Sequence, residues 1–204
     1  MSSSPSHAFA RIVHHPVPIP TFDFTDAYDP DAVQSRGWGI GGYNERRVQS
    51  MYDNADLYDE ARCIHMGVDI WGPEGTSVHA FTEGIVYAVK HHDSPRNYGP
   101  TVITQHEIDG TTIWALHGHL SDATLAHVET GQRVRHGEVI GWFGTWDENG
   151  GWPPHLHFQL SLDEPADGDM PGVVAPHEHA SALKTYPDPK TVLGFGVVGP
   201  RERH

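Results

Sequence analysis

The segment Pro153-Pro154-His155-Leu156-His157-Phe158 is the most informative part of this chain. On an extended strand, residues two positions apart project from the same face, roughly 6.6 Å from each other along the strand. His155 and His157 can therefore approach one common centre. The two prolines before them fix φ and stiffen the backbone that leads into the strand. The alternative interpretation is a pair of polar residues on a half-exposed strand face.

A second segment, His65-Met66-Gly67-Val68-Asp69, places a histidine and an aspartate four positions apart. On a straight strand these residues would be about 13 Å apart, which is too far for one zinc ion with bonds near 2 Å. A shared site therefore needs a bend, which Gly67 would permit. Alternatively, His65 lies at the edge of the core and Asp69 in a turn. Together the two segments predict a His/His/Asp zinc site with one position open to water, as in metal-dependent hydrolases.

Composition makes several kinds of partner improbable. The 204 residues include 13 Lys and Arg against 27 Asp and Glu, for a formal net charge of −14 with histidines neutral. Such a field repels phosphate backbones and anionic surfaces, so we expect no nucleic-acid partner and no membrane partner. Cys63 is the only cysteine, so no internal disulfide can form. Because no signal peptide and no transmembrane run is visible, we expect a cytoplasmic location.

Short strands dominate the pattern between residues 64 and 162. The β-rich runs 101–108 and 111–117 flank Asp109-Gly110, a pair that tolerates the positive φ angles of a type I′ turn, and this predicts a hairpin. Little helix is indicated. We therefore expect a mainly β fold, an antiparallel β-sandwich or barrel-sandwich with a duplicated hybrid motif.

Three parts of the chain are distinguished by composition. Residues 1–33 are rich in Ser, Pro and Asp and are expected to form an extended N-terminal arm, with a partly disordered tail as an equal alternative. Residues 34–162 are expected to form the β domain with the zinc site. Within it, one helix is predicted over Asp122 to His127, after Ser121 as a candidate N-cap. Residues 163–204 are expected to form a C-terminal extension packed on the domain.

A third histidine pair occurs in Leu116-His-Gly-His-Leu-Ser. His117 and His119 are expected to share a strand face, and either could supply a general base with a pKa near the working pH. The alternative is that both lie on the solvated side of the hairpin.

Three separated motifs resemble those of the lysostaphin-type zinc endopeptidases, which include β-lytic and peptidoglycan-cleaving enzymes. The resemblance covers residues 63–160. The motifs, in chain order, are His65-x-x-x-Asp69, His119-Leu120-Ser121 and Pro154-His155-Leu156-His157-Phe158.

The resemblance implies one Zn²⁺ per chain, bound by His65, Asp69 and His157, with His155 and His119 as catalytic histidines. The family usually has a tyrosine two residues before the catalytic histidine. This chain has a histidine at that position, 117, so both 117 and 119 are open as the base, and the Leu-Ser that follows favours 119. Asn44 or Asn54 is a further candidate, as an occupant of the open zinc position.

A narrower resemblance concerns residues 149–159 and 168–172. These residues are similar to a branch found as a domain inside large cytosolic proteins, between a small-molecule kinase-like domain and a class III aminotransferase-like domain. This resemblance implies association with kinase- or aminotransferase-type proteins, and a substrate that need not come from the cell wall.

The expected function is a zinc-dependent metalloendopeptidase that hydrolyses amide bonds with a zinc-activated water. The substrate expected from the resemblance is a short or glycine- or D-alanine-containing peptide of peptidoglycan type. The alternative is a non-catalytic, zinc-containing binding or regulatory module on the same scaffold. A phosphocarrier-like domain is disfavoured, because that role gives no reason for Asp69 beside His65.

Overall fold

The computed structural model describes residues 9–52 and 62–193, and short β-strands make up most of their regular structure. The strands are β1 (Thr21–Phe22), β2 (Gly39–Gly41), β3 (Glu45–Arg46), β4 (Ile64–His65), β5 (Val68–Trp71), β6 (Ser77–His79), β7 (Gly84–His92), β8 (Gly99–Ile108), β9 (Thr111–Gly118), β10 (Arg133–Val134), β11 (Val139–Trp142), β12 (His155–Ser161) and β13 (Val173–Val174). The α-helices are α1 (Pro30–Arg36), α2 (Asp122–His127), α3 (His179–Thr185) and α4 (Lys190–Leu193).

The strands form one large sheet and two small ones. The large sheet has the order β1-β2-β5-β12-β9-β8-β7-β10, and the small sheets have the orders β11-β6 and β13-β4-β3. The β1–β2 pair is parallel, and the other pairs of these sheets are antiparallel. The prediction of a mainly β fold with antiparallel sheets is confirmed.

The predicted hairpin is present as β8 and β9. Ile108 pairs with Thr111, and the two residues between them, Asp109 and Gly110, have φ angles of 50° and 77°. Positive φ at both central positions is what a type I′ turn requires. The two-residue turn therefore sets the register of the β8–β9 hairpin, because Asp and Gly both tolerate positive φ.

Helix α2 has the predicted bounds. Ser121 has extended backbone angles at the N-cap position, but its side chain makes no capping hydrogen bond. No helix within residues 9–52 and 62–193 has the length and apolar character needed to cross a membrane.

Alternation along β5 and β12 gives the centre of the large sheet two different faces, because successive strand residues point to opposite sides. The core face carries side chains of the largest buried apolar cluster, namely Val68, Ile70, Leu156 and Phe158. The opposite face, here named the site face, carries Asp69, Trp71, His155 and His157.

Residues before β2 pack on the body of the protein at two places. Ile12 and Val13 belong to the largest apolar cluster, and Phe22 and Phe24 join Trp71 in a second cluster. The division into an arm, a β domain and a C-terminal extension stays a prediction.

Candidate metal centre

The bend between β4 and β5 brings His65 and Asp69 together. Met66 and Gly67 separate the two strands, and Nε2 of His65 lies 3.3 Å from Oδ1 of Asp69. Gly67 does not have a left-handed φ, so the bend itself does not require glycine. A Cβ at this position would lie 2.6 Å from Cε1 and 2.7 Å from Nε2 of His157. The expected bend is present, and the reason for glycine there is space.

Three donor atoms converge at this bend. Nδ1 of His157 lies 2.9 Å from Oδ1 of Asp69 and 3.0 Å from Nε2 of His65. All three side chains are buried, and together they form a group able to hold a metal ion.

The spacing of these atoms fits zinc. Donor atoms 2.0–2.1 Å from a tetrahedral zinc lie roughly 3.3 Å from one another. The three observed separations, between 2.9 and 3.3 Å, are close to that value. Two imidazole nitrogens and one carboxylate oxygen are also the donor types of catalytic zinc sites with three protein ligands.

Each of the three candidate ligands has its second polar atom bound to the protein. The contacts are His65 Nδ1 donating to the carbonyl of Gly42 at 2.9 Å, His157 Nε2 donating to Oε1 of Gln159 at 3.0 Å, and Arg47 donating to Oδ2 of Asp69 at 2.7 Å. Outer contacts of this kind fix the histidine tautomer and the ring orientation. These contacts leave one atom of each side chain able to bind a metal, and these three metal-binding atoms are the ones that converge.

Arg47 is a buried cation directly behind the aspartate. Its guanidinium also donates to Glu45 at 2.7 Å and to the hydroxyl of Tyr52 at 3.1 Å. Burial opposes its charge, but Tyr52, Asp69 and Glu45 together raise the pKa of Arg47 above its usual value. Burial likewise favours the neutral form of Asp69, yet the electrostatic interactions of that carboxyl with His65 and Arg47 hold its pKa well below the usual range. The pair is therefore ionised.

His119 and His155 form a second histidine pair beside the three candidate ligands. Their rings stack with centroids 4.1 Å apart and planes at 29°, and Trp71 stacks on His155 at 5.3 Å. Nδ1 of His119 donates to the carbonyl of Asn149 at 2.9 Å, and Nδ1 of His155 donates to the carbonyl of Pro153 at 2.8 Å. With the proton on Nδ1, each ring keeps its lone pair on Nε2.

Burial keeps His65, His119 and His155 neutral. It lowers the pKa of His155 to about 4. Burial together with the charge of Arg47 lowers the pKa of His65 to about 4. Burial and the neighbouring His155 place the pKa of His119 well below its usual value. A neutral imidazole is the form that binds a metal or accepts a proton.

His117 lies outside this site. Strand β9 ends at Gly118, and His119 follows with a φ of 63°. The side chain of His117 packs on the ring of Phe158 at 5.3 Å, and its Nδ1 donates to the carbonyl of Val102 at 3.2 Å. The expectation that His117 and His119 share a strand face is wrong, because the chain turns after Gly118 and only His119 lines the cavity.

The loop before β12 holds one wall of the site. The Asn149 side chain is fully buried. It accepts the N–H of Trp152 at 3.0 Å and donates to the carbonyl of Trp152 at 3.0 Å. The carbonyl of Asn149 also receives the proton of His119. One asparagine thus links the orientation of His119 to the position of Trp152.

Asn44, one of the two asparagines considered for the open metal position, is not at the site. Oδ1 of Asn44 accepts a hydrogen bond from Nε2 of His179 at 2.6 Å, and Asn44 is not among the described residues that line the cavity. Asn54 lies outside the described residues.

A cavity of about 170 Å³ adjoins the candidate ligands and the histidine pair. Its walls also include Tyr98, Trp152 and Arg96, together with the chain segment from Asp169 to Val173. The site therefore combines a group able to hold a metal, two neutral histidines and room for a small part of a substrate.

The family model described as Peptidase family M23 matches residues 63–167, just over half of the chain. The chain belongs to this family. The matched segment contains the candidate ligands, the histidine pair and the Asn149 loop.

The curated relatives include the DD-carboxypeptidase/endopeptidase Mpg of Neisseria meningitidis serogroup B and of Neisseria gonorrhoeae. Each is 32% identical over 100 residues, which are 49% of this chain and 20% of the relative. The chain thus corresponds to about a fifth of the length of these relatives.

Two solved structures are among those to which the chain is similar. A zinc containing peptidase from Vibrio cholerae is 27% identical, with 53% of this chain and 32% of that chain covered and a TM-score of 0.41. The catalytic domain of lysostaphin from Staphylococcus simulans is 20% identical, with 76% of this chain and 98% of that chain covered and a TM-score of 0.46.

Proposed function

We propose that the protein is a zinc-dependent metallopeptidase that hydrolyses amide bonds, with one zinc per chain. The observation that carries the proposal is the arrangement of three converging donor atoms beside two stacked neutral histidines in a chain of a peptidase family. A purely structural metal site would need no proton acceptors next to it and would be closed by a fourth protein ligand.

His65, Asp69 and His157 would hold the metal through Nε2, Oδ1 and Nδ1. Zinc in such a site supplies Lewis acidity and lowers the pKa of a water molecule toward neutrality. Arg47 holds Oδ2 of the aspartate, so that carboxylate is available to the metal through one oxygen only. The contact with Arg47 thereby prevents Asp69 from occupying two coordination positions of the metal.

His119 and His155 would handle the proton. Both donate through Nδ1 to backbone carbonyls, so Nε2 of either ring can accept a proton from the attacking water and later deliver it to the leaving amine. The low basicity that burial imposes suits the delivery step, because a weakly basic imidazole releases its proton readily. Trp71 and the stacked rings restrict rotation of His155.

The proposed substrate is a short peptide of peptidoglycan type with small residues such as glycine or D-alanine near the scissile bond. The Mpg relatives are DD-carboxypeptidase/endopeptidases, which supports this choice. The small cavity supports it too. A cytoplasmic location and association with kinase- or aminotransferase-type proteins are the remaining parts of this proposal.

The test combines metal analysis with cleavage. The purified full chain should contain about one zinc per molecule and should cleave members of a mixed peptide library in a chelator-sensitive way. His157→Ala and Asp69→Ala should each lose most of the zinc and the cleavage, because each removes one of three ligands. His91→Ala, which changes an exposed histidine of β7, is the matched control and should retain both.

Two results would contradict the proposal. A chain that binds no zinc would remove its chemical basis. Stoichiometric zinc without cleavage across peptide and peptidoglycan panels would indicate the non-catalytic binding module instead.

A further inference from the structure

The cavity beside the candidate metal ligands is lined by several cationic side chains, although the protein as a whole is acidic. The whole protein has a formal net charge of −14, yet Arg47, Arg62 and Arg96 all line this one cavity. Cations gathered in a cleft of an acidic protein focus a positive potential there and favour an anionic ligand.

The three arginines differ in what they have left to bind. Arg47 is occupied by Asp69 and Glu45. Arg62 lies 3.6 Å from the carboxylate of Glu178. Arg96 makes no ion pair within the part of the chain that the structure describes, so its charge is the one available to a ligand.

Arg96 is held in place without being neutralised. Its backbone N–H donates to the carbonyl of Gly150 at 2.8 Å, and its Nη1 donates to the carbonyl of Gly151 at 3.2 Å. The guanidinium lies over the Trp152 ring at 4.6 Å, and its charge also acts on the Tyr28 hydroxyl. Stacking on an aromatic face and neutral acceptors orient a guanidinium while leaving its charge and further N–H donors free.

Arg96 lies near the proposed reaction centre, and Trp152 lies between the two. The ring of Trp152 lies 6.1 Å from that of His119 and 6.4 Å from that of His155, and Arg96 lies over the same ring. An extended peptide advances about 3.3–3.6 Å per residue. A group bound at Arg96 would therefore be one to three residues from an amide bond at the histidine pair.

We propose that Arg96 binds a carboxylate of the substrate and makes the enzyme select peptides with a carboxylate one to three residues from the scissile bond. The inference rests on the proposed peptidase function and specifies its substrate. Guanidinium binds carboxylates through two parallel hydrogen bonds, which gives direction as well as affinity. Two carboxylates also line the cavity: Asp69, which is paired with Arg47, and Asp169, whose Oδ1 accepts the N–H of Met170.

The carboxylate can come from the peptide C-terminus or from an acidic side chain, and two matched peptide pairs separate these sources. One pair differs only in a free or amidated C-terminus. The other pair is amidated and differs only in Glu or Gln at one position beyond the scissile bond. The zinc-loaded full chain should show kcat/KM at least tenfold higher for the acidic member of one pair.

Substitution of the arginine should remove this preference. Arg96→Gln should bring the acidic and neutral members within about twofold, mainly by slowing the acidic one. Arg96→Lys keeps the positive charge but cannot form the two parallel hydrogen bonds of a guanidinium, so it should retain part of the preference. Arg133→Gln, at an exposed arginine of β10, should leave the preference unchanged. A wild-type enzyme without preference, or a preference that survives in Arg96→Gln, would overturn the proposal.

A binding measurement separates this inference from the proposed activity. Calorimetric titration of the zinc-loaded chain uses N-acetylalanylalanine against its C-terminal amide, and an N-acetylated, amidated dipeptide with Glu against the same peptide with Gln. The acidic member of one pair should bind at least tenfold more tightly, and that difference should be lost in Arg96→Gln. If no peptide is cleaved while this difference is present, the peptidase proposal fails and the carboxylate site stands. Equal binding of the acidic and neutral members in both pairs, or a difference retained in Arg96→Gln because the carboxylate binds the metal, would reject the site.

Discussion

Gln159 shows how a single side chain can orient a candidate metal ligand. It is fully buried, and its amide is used in both directions, because Oε1 accepts the N–H of His157 and Nε2 donates to the carbonyl of Pro171 at 3.3 Å. Only one orientation of the amide satisfies both contacts. That orientation places the proton of His157 on Nε2 and directs the Nδ1 lone pair toward His65 and Asp69.

Replacement of Gln159 by methionine should weaken zinc binding without removing a ligand. The thioether is a poor acceptor, so the N–H of His157 would be buried without a strong partner and the wrong tautomer would become accessible. We expect the zinc dissociation constant to rise roughly 10- to 100-fold, as for other outer contacts of ligating histidines. Competition with a chromophoric chelator measures it.

Two further variants make that result specific. Gln159→Glu keeps an acceptor for His157 and should retain more affinity than the methionine variant. Gln105→Met makes the same chemical change on β8, away from the candidate ligands, and should bind zinc like the wild type. An unchanged affinity in Gln159→Met would show that the tautomer of His157 is set by something else.

At the scale of secondary-structure elements, the strand period explains which parts of the site are visible in the sequence. The period of two places His155 and His157 on one face, and it places Gln159 on the same face, so this residue too is predictable from the sequence. The bend at Gly67 was predictable because a straight strand cannot bring His65 to Asp69.

Other parts of the site depend on contacts between elements that are distant in sequence. Arg47 lies in a stretch without helix or strand periodicity, and it reaches Asp69 only because β3 pairs with β4. Arg96 belongs to the connection between β7 and β8, where local sequence indicates only a surface loop. The turn that separates His117 from His119 depends on hydrogen bonds from residues 119 and 120 to the β8 side, at Tyr98 and Pro100.

Residue Gly67, in the bend between β4 and β5, should not tolerate a side chain. In Gly67→Ala the added Cβ would lie within 2.7 Å of the His157 ring, so that ring must move away from the other two donor atoms. We expect loss of most bound zinc and at least a tenfold loss of peptide cleavage. Elemental analysis of the purified variant tests the first expectation.

A neighbouring glycine supplies the control for this variant. Gly42 also adjoins the site, since its carbonyl accepts the N–H of His65, but a Cβ there would meet no atom closer than 3.6 Å. Gly42→Ala should therefore keep its zinc. Retention of zinc by both variants would mean that the packing of the bend does not position His157.

At the scale of the whole molecule, burial of neutral histidines makes stability depend on pH. Burial lowers the pKa of His117 to about 3, and it also lowers the pKa of His106. In the unfolded chain such groups return to about 6.5. The unfolded state therefore binds more protons below that pH, so the free energy of unfolding falls as the pH drops from 6.5 toward the folded-state pKa.

His117 offers the clearest case, because it lies on the core face away from the proposed metal ligands. Its contribution implies a loss of about 2 kcal/mol in the free energy of unfolding between pH 7 and pH 5. His117→Gln has similar volume and no titration in this range, so its loss over the same interval should be smaller by about that amount. Urea unfolding at the two pH values measures both proteins, and His91→Gln, at an exposed position of β7, should behave like the wild type. If the free energy of unfolding decreases equally in His117→Gln and in the wild type, the pKa of His117 is not lowered in the folded protein, and the prediction is wrong.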